Sequence, residues 1–167
     1  MIYTGRPRDA VPYLEQAIRA NPSDVLYRAN LARALARSGR AQEALQEMEA
    51  VHRLSPRDPL AALFDFQMSI IAFSLGRYAD SEACARRAVA SRGGHLSARV
   101  ILGCALAAQG RLEDAHEAVR EAVRLEPSMD LGSQEYVFRN MGAEDALVAS
   151  GLKHLALAWP PELKPRK

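Results

Sequence analysis

Small and apolar residues recur along most of the chain at the three- and four-residue spacing of a helix face, and four glycines divide that pattern into similar blocks. Gly5, Gly39, Gly76 and Gly110 stand 34, 37 and 34 residues apart, and an arginine follows each. The runs they open are alike: GRPRDAVPYLEQAIRANP, GRAQEALQEMEAVHRLSP, GRYADSEACARRAVASRG and GRLEDAHEAVREAVRLEP. Each carries a small residue after the glycine (Ala10, Ala44, Ser81, Ala115) and another further on (Ala17, Val51, Ala88, Ala122). Pro22, Pro56 and Pro127 close three of the runs, and Gly93-Gly94 closes the other. The stretch ahead of each glycine repeats as well. Leu31-Ala32 returns as Met68-Ser69 and Leu102-Gly103, and Leu35 as Ala72 and Leu106.

Each block therefore reads as a helix, a tight Gly-Arg turn and a second helix ended by Pro or Gly. The short side chains at fixed slots let two antiparallel helices approach closely. The pattern predicts helices at about 8–20, 24–38, 41–54, 59–75, 78–91, 95–109 and 112–125. Asp58 ahead of Pro59 reads as an N-cap with proline in the first turn, and Asp24 reads the same way, with Ser23 competing. The third block has three extra residues, placed most simply in its first helix between Asp58 and Leu75. Only Ile2 and Tyr3 stand where the first block's opening helix belongs. Val11, Leu14 and Ile18 then need a cover, either from a longer protein of which this chain is a piece or from a second molecule.

After Pro127 the period breaks. SMDLGSQEYVFRNMG predicts a short helix ending near Gly142, and a last amphipathic helix follows at about 143–158. Leu147, Leu152, Leu155 and Trp159 form a stripe able to seal the final block, ahead of a Pro-rich basic tail.

These units resemble the tetratricopeptide repeat family in length, turn glycine and small-residue and proline slots. The resemblance implies an all-α fold, a right-handed α-α superhelix of about 3.5 repeats plus C-terminal capping helices. It divides the chain into repeats over 1–127 (a half repeat 1–22, then 23–56, 57–93 and 94–127), capping helices at 128–159 and a tail at 160–167. The family's aromatic slots are mostly filled here by Leu, Met or Arg, Ser81 replaces the usual Ala, and one closing Pro is missing. The ending also resembles the repeat tail of bacterial class III adenylate cyclases. Phe138-Arg139, Glu144-Asp145-Ala146, Gly151-Leu152-Lys153 and Pro160-Pro161-Glu162 follow that order, and Trp159 departs from it. That likeness implies a regulatory or docking appendage of a bacterial signalling protein and carries over no catalytic residue.

Composition sharpens this picture. Alanine and leucine dominate and aromatics are only 6%, which favours helix over a β-sandwich. The formal charge of +2 belongs to Lys164, Arg166 and Lys167. Without them the first 163 residues hold 19 basic and 20 acidic side chains, so the body offers no electrostatic footprint for nucleic acid. No apolar run reaches the ~18 residues of a membrane span, and MIYTGRPRDA has no apolar signal core. A cytoplasmic protein is the resulting expectation.

The chain holds no phosphate-binding loop, zinc-protease or nucleophile-elbow motif, so no catalytic residue, metal site or cofactor is predicted. His52, His95, His116 and His154 read as scattered helix residues. Cys84 and Cys104 read as buried packing thiols, with a redox pair as the alternative. Glu43, Glu47, Asp80, Glu113 and Glu117 read as a solvated outer face.

The family resemblance directs attention to the concave face, lined by the first helix of each repeat. Helical spacing there selects Leu26, Ala29, Arg33 and Arg37, then Leu63, Phe66, Ile70 and Phe73, then Val100, Cys104 and Ala107, with Asn30 and Gln67 beside them. The predicted partner-binding groove is thus Asn30, Arg33, Arg37, Leu63, Phe66, Gln67, Ile70, Phe73, Val100 and Cys104. Too few basic residues recur on later helices, where only Arg99 offers one, for the family's chaperone-tail clamp. An apolar groove suits an amphipathic helix or extended segment of a partner protein. Core packing of Phe66, Ile70 and Phe73 is the competing assignment. The functional expectation is a non-enzymatic protein–protein interaction scaffold. The alternative is a self-associating or autoregulatory module, making homo-oligomers through its uncovered N-terminal helix.

Overall fold

The computed structural model describes residues 7–91, 96–140 and 145–163. Ile2, Tyr3, Gly5, the Gly93-Gly94 break, His95, Gly142, Glu144 and residues 164–167 of the tail lie outside the described residues.

Among the described residues every regular element is helical: α1 (Pro7–Ala20), α2 (Val25–Ala36), α3 (Ala41–Leu54), α4 (Ala61–Ser74), α5 (Tyr78–Ala90), α6 (Leu96–Ala108), α7 (Leu112–Leu125), α8 (Gln134–Asn140), α9 (Asp145–Ala158) and a 3-10 turn at Pro161–Leu163. The pairs α2–α3, α4–α5 and α6–α7 are antiparallel hairpins stacked in order, preceded by α1 and closed by α8 and α9. This is the expected right-handed superhelix.

The turns explain the glycine spacing. Gly39, Gly76 and Gly110 have φ of 77°, 70° and 77°, a region costly for any side chain. At the first turn the Gly39 N–H donates to the Ala36 carbonyl (3.2 Å) and the Arg40 N–H to the Leu35 carbonyl (2.9 Å). The same pair of bonds recurs at Gly76-Arg77 and Gly110-Arg111, so each first helix ends in a Schellman motif. The arginine then leads the second helix and grips its first turn. Arg40 Nε lies 2.7 Å from Glu43, Arg77 Nε 2.7 Å from Asp80, and Arg111 Nε 2.9 Å from Asp114. Gly-Arg-x-x-acid is thus a repeated turn unit. It was present in the sequence but was not singled out there.

Two boundaries of the repeat helices differ by two residues from the sequence reading. The Schellman turn ends α2 at Ala36 rather than residue 38. Pro59 and Leu60 form a turn ahead of α4, which begins at Ala61. Asp58 still serves that start, accepting from the Leu60 N–H at 2.8 Å through its side chain and from the Ala61 N–H through its carbonyl. The three extra residues are therefore shared between a longer 55–60 connection and α4, which has 14 residues against 12 in α2. Asp24 wins over Ser23 as the cap of α2, accepting from Leu26 N (2.9 Å) and Tyr27 N (3.1 Å).

The interior falls into two apolar clusters that meet at α4. Phe64 and Ile71, two turns apart, belong to the N-terminal cluster with Ala32, Leu35, Leu45, Met48 and Val51. Phe66 and Phe73, on the opposite side, belong to the C-terminal cluster with Ile101, Leu106, Val119, Leu155 and Trp159. A third side of α4 faces α5. There Ser81 Oγ donates to the Ser69 carbonyl at 2.8 Å, which accounts for serine in an alanine slot.

Candidate functional site

Three sides of α4 are assigned by these contacts, so the fourth is its concave side. Helical register puts Leu63, Gln67, Ile70 and Ser74 there. The matching positions on α2 are Leu26, Asn30, Arg33 and Arg37. Leu26 and Ser74 are exposed, and the other six are half-buried. The structure thus brings Asn30, Arg33, Arg37, Leu63, Gln67 and Ile70 onto one face of two neighbouring helices. The Gln67 side-chain oxygen is buried and unbonded among the described residues.

Four of the sequence-selected positions lie elsewhere. Phe66 and Phe73 point sideways from α4 into the C-terminal cluster, at 8% and 2% exposure. Val100 and Cys104 on α6 are buried, at 2% and 0%. The cover over α6 is the chain's own α9. Cys104 Sγ approaches the Gly151 carbonyl at 3.6 Å, and a Cβ at Gly103 would stand 3.6 Å from Ala158. His154 on α9 packs edge-on against Phe73 and tilts against Tyr78, both centroids 5.7 Å away.

The capping stripe seats α9 much as expected. Leu155 and Trp159 are buried and Leu147 and Leu152 half-buried, with Val148 buried beside them. Its attachment to α8 uses Phe138, Arg139, Asp145 and Gly151. A Cβ at Gly151 would fall 2.8 Å from the Phe138 ring, so glycine is what lets that ring sit against α9. Arg139 Nη1 meets Asp145 at 2.8 Å. Arg120 holds Glu162 at 2.7 Å, and His116 Nε2 lies 3.1 Å from the Leu157 carbonyl.

The remaining polar residues build structure. Buried Asp65 on α4 accepts from Arg87 Nε of α5 at 2.8 Å, tying those two helices together, and His52 Nε2 of α3 lies 3.4 Å away. Cys84 lies 3.2 Å from Arg87 Nη2. Burial pushes its thiol above the ordinary range against the pull of that cation. Burial pushes Cys104 up much further. Both thiols are free, and each sulfur is engaged by a different neighbour. Burial also pushes Glu82 up, but hydrogen bonds from Gln109, Arg86 and Arg111 outweigh it and hold the carboxyl below its usual range. Arg99 faces α7 rather than the concave side. Its charge adds to the Arg124 hydrogen bond that keeps Glu121 ionised to lower pH. Glu43, Asp80, Glu113 and Glu117 are exposed and Glu47 half-buried, all on second helices, and Glu47 pairs with Arg28 at 2.9 Å. Among the described residues no three metal-ligating side chains gather, and no helix is long and apolar enough to cross a membrane.

The repeat geometry agrees with comparison to known proteins. A tetratricopeptide repeat family profile matches residues 2–59 and 66–130. The chain belongs to the tetratricopeptide repeat family. Among solved structures it is similar to MamA 41-end from Desulfovibrio magneticus RS-1, at 21% identity and TM-score 0.70, covering 92% of this chain and 84% of that one. It is also similar to MamA from strain MSR-1, at 20% identity and TM-score 0.67, covering 92% and 87%. At this identity the likeness concerns the fold. Comparison with the curated proteins gives no match. A tetratricopeptide array is a scaffold of the kind that serves as a protein–protein interaction module.

Proposed function

We propose that this tetratricopeptide protein is a non-enzymatic scaffold whose concave face, along α2 and α4, holds a helical or extended segment of a partner protein. The observation that carries this reading is the alignment of Leu26, Asn30, Leu63, Gln67 and Ile70 on adjoining first helices, with amide side chains between apolar contacts. Apolar groups supply the contact area, and Asn30 and Gln67 can bond a partner's backbone or polar groups. The chain already shows the mode within itself, because α9 lies against α6 in the next repeat. Phe66 and Phe73 are buried beside that face, and Val100 and Cys104 lie on α6, where α9 packs.

Capture from native lysate tests the reading. A partner held by the wild type and by an outer-face Gln46→Ala control should be lost by Leu63→Glu and Ile70→Glu. Retention of every specifically captured protein by both groove variants would remove the assignment.

A second reading, self-association, rests on α1. Among the described residues α1 packs against α2 with no first helix of its own repeat ahead of it, and Tyr13 is 68% exposed, with Leu14 and Ile18 half-buried. Such a contact suits an autoregulatory module of a larger signalling protein, such as a nucleotide cyclase. Light scattering that shows a strict monomer at high concentration contradicts it.

A further inference from the structure

Gln67 is out of keeping with its surroundings. It lies on the concave side of α4 between Leu63 and Ile70, its i−4 and i+3 neighbours on the same face. Its side-chain oxygen is buried and accepts no hydrogen bond among the described residues. An acceptor left unbonded away from water lowers the stability of the chain that holds it. Native proteins keep few such groups, and each calls for an explanation.

The repeat supplies one. Leu31, Met68 and Leu102 are equivalent positions, so Asn30, Gln67 and Ile101, each one residue earlier, share a slot. On α6 that slot is apolar. Ile101 is 1% exposed there, in the cluster that also holds Leu155 and Ala158 of α9. On α2 and α4 the slot carries a carboxamide instead, and Asn30 and Gln67 are both half-buried. Isoleucine fills the slot without difficulty on α6, so packing alone does not call for an amide on α4. The other polar residues on this side of α2, Arg33 and Arg37, are already engaged.

We infer that Gln67 is a specificity-determining residue of the concave face and that it selects an extended segment over a helical one. This rests on the groove reading above and adds which of its two kinds of segment is taken. A carboxamide has one acceptor and two donors, and a peptide group has one of each. An extended main chain carries N–H and C=O groups with no partner of their own, whereas a helix uses them internally. Turning the Gln67 amide toward an extended main chain gives its oxygen the donor that the free chain lacks. A helix laid on Leu63 and Ile70 leaves that oxygen unbonded and binds less well.

Two measurements on the whole chain test this. Gln67→Met keeps the length of the side chain and removes its polar atoms. Urea denaturation should place the midpoint of this variant above that of the wild type, because the free chain loses no hydrogen bond. A lower midpoint means that the oxygen is already bonded in the free chain, and it overturns the inference.

The second measurement selects phage-displayed random peptides of about 12 residues, long enough when extended to cross both helices, on the immobilised wild type. Those that do not bind Ile70→Glu, itself checked for unchanged helix content, are groove binders. In fluorescence anisotropy their labelled synthetic forms should bind Gln67→Met roughly ten-fold or more weakly. A single N-methyl group, moved along the peptide bonds, should weaken wild-type binding by a similar factor at one position or more, and that loss should vanish in Gln67→Met. Unchanged binding by Gln67→Met, or an N-methyl loss of equal size in the two proteins, overturns the inference and leaves the groove reading in place. Selection of no peptide, or only of peptides that bind Ile70→Glu as well as the wild type, removes the groove reading and the inference with it.

Discussion

At the scale of single residues, glycine does two different jobs here. Gly76 sits at φ 70° with open space where a Cβ would go, so its substitution meets only backbone strain. Gly151 has an ordinary helical backbone, but a Cβ would enter the Phe138 ring. Urea denaturation should show Gly76→Ala losing about 1 kcal/mol and Gly151→Ala losing about 1–3 kcal/mol from overpacking. An unchanged Gly151→Ala midpoint would mean that Phe138 does not pack where the structure puts it. Glu82 supplies a pH test. Its carboxyl is held below its ordinary value near 4.5, so its contribution is complete at neutral pH and is lost as pH falls through its lowered folded value. The stability gap between wild type and Glu82→Gln should therefore be present near neutral pH and close as the pH falls below the ordinary carboxylate range. A gap of constant size contradicts the linkage.

At the scale of elements, the hairpins were legible in the sequence because each begins and ends on a backbone requirement. A glycine that must adopt positive φ and a cap that must accept an N–H leave fixed letters at fixed spacing. The direction in which α4 points its side chains was not legible. AALFDFQMSIIAFS is apolar on nearly every side, because α4 touches α3, α5 and α6 at once, so periodicity has no polar face to count from. That is why Phe66 and Phe73 were grouped with Leu63 and Ile70, although the first two are core. Nor did the sequence place α9. Its stripe of Leu147, Leu152, Leu155 and Trp159 announces a buried face but does not name α6 as the surface beneath. Cys104 reports that seat. Its thiol is buried against Gly151 and pushed far up, so native alkylation should be slow. Ending the chain after Asn140 should expose Cys104 and speed its labelling by an order of magnitude or more. Equal labelling rates in the two chains would place α9 elsewhere.

At the scale of the whole molecule, stability is spread along a stack rather than gathered at a centre. From Val100 to Ala107 every residue of α6 is buried, between α5, α7 and α9, whereas α1 buries only Ala10 and Val11. Hydrogen exchange should accordingly be slowest in α6 and fastest, among the repeat helices, in α1. Uniform exchange across the helices would contradict a stack. The same one-dimensional build separates the two surfaces. Acids lie along the second helices, and apolar, amide and arginine side chains lie along the concave side of the first. The account's central claim is that partners are taken up on that concave side. A photo-crosslinking amino acid placed at Leu63 or Ile70, and for comparison at Gln46 or Ala83 on the outer face, tests this most directly in native lysate. Specific adducts from 63 and 70, with none from 46 and 83, are the predicted result. Adducts formed as readily from the outer positions would contradict it.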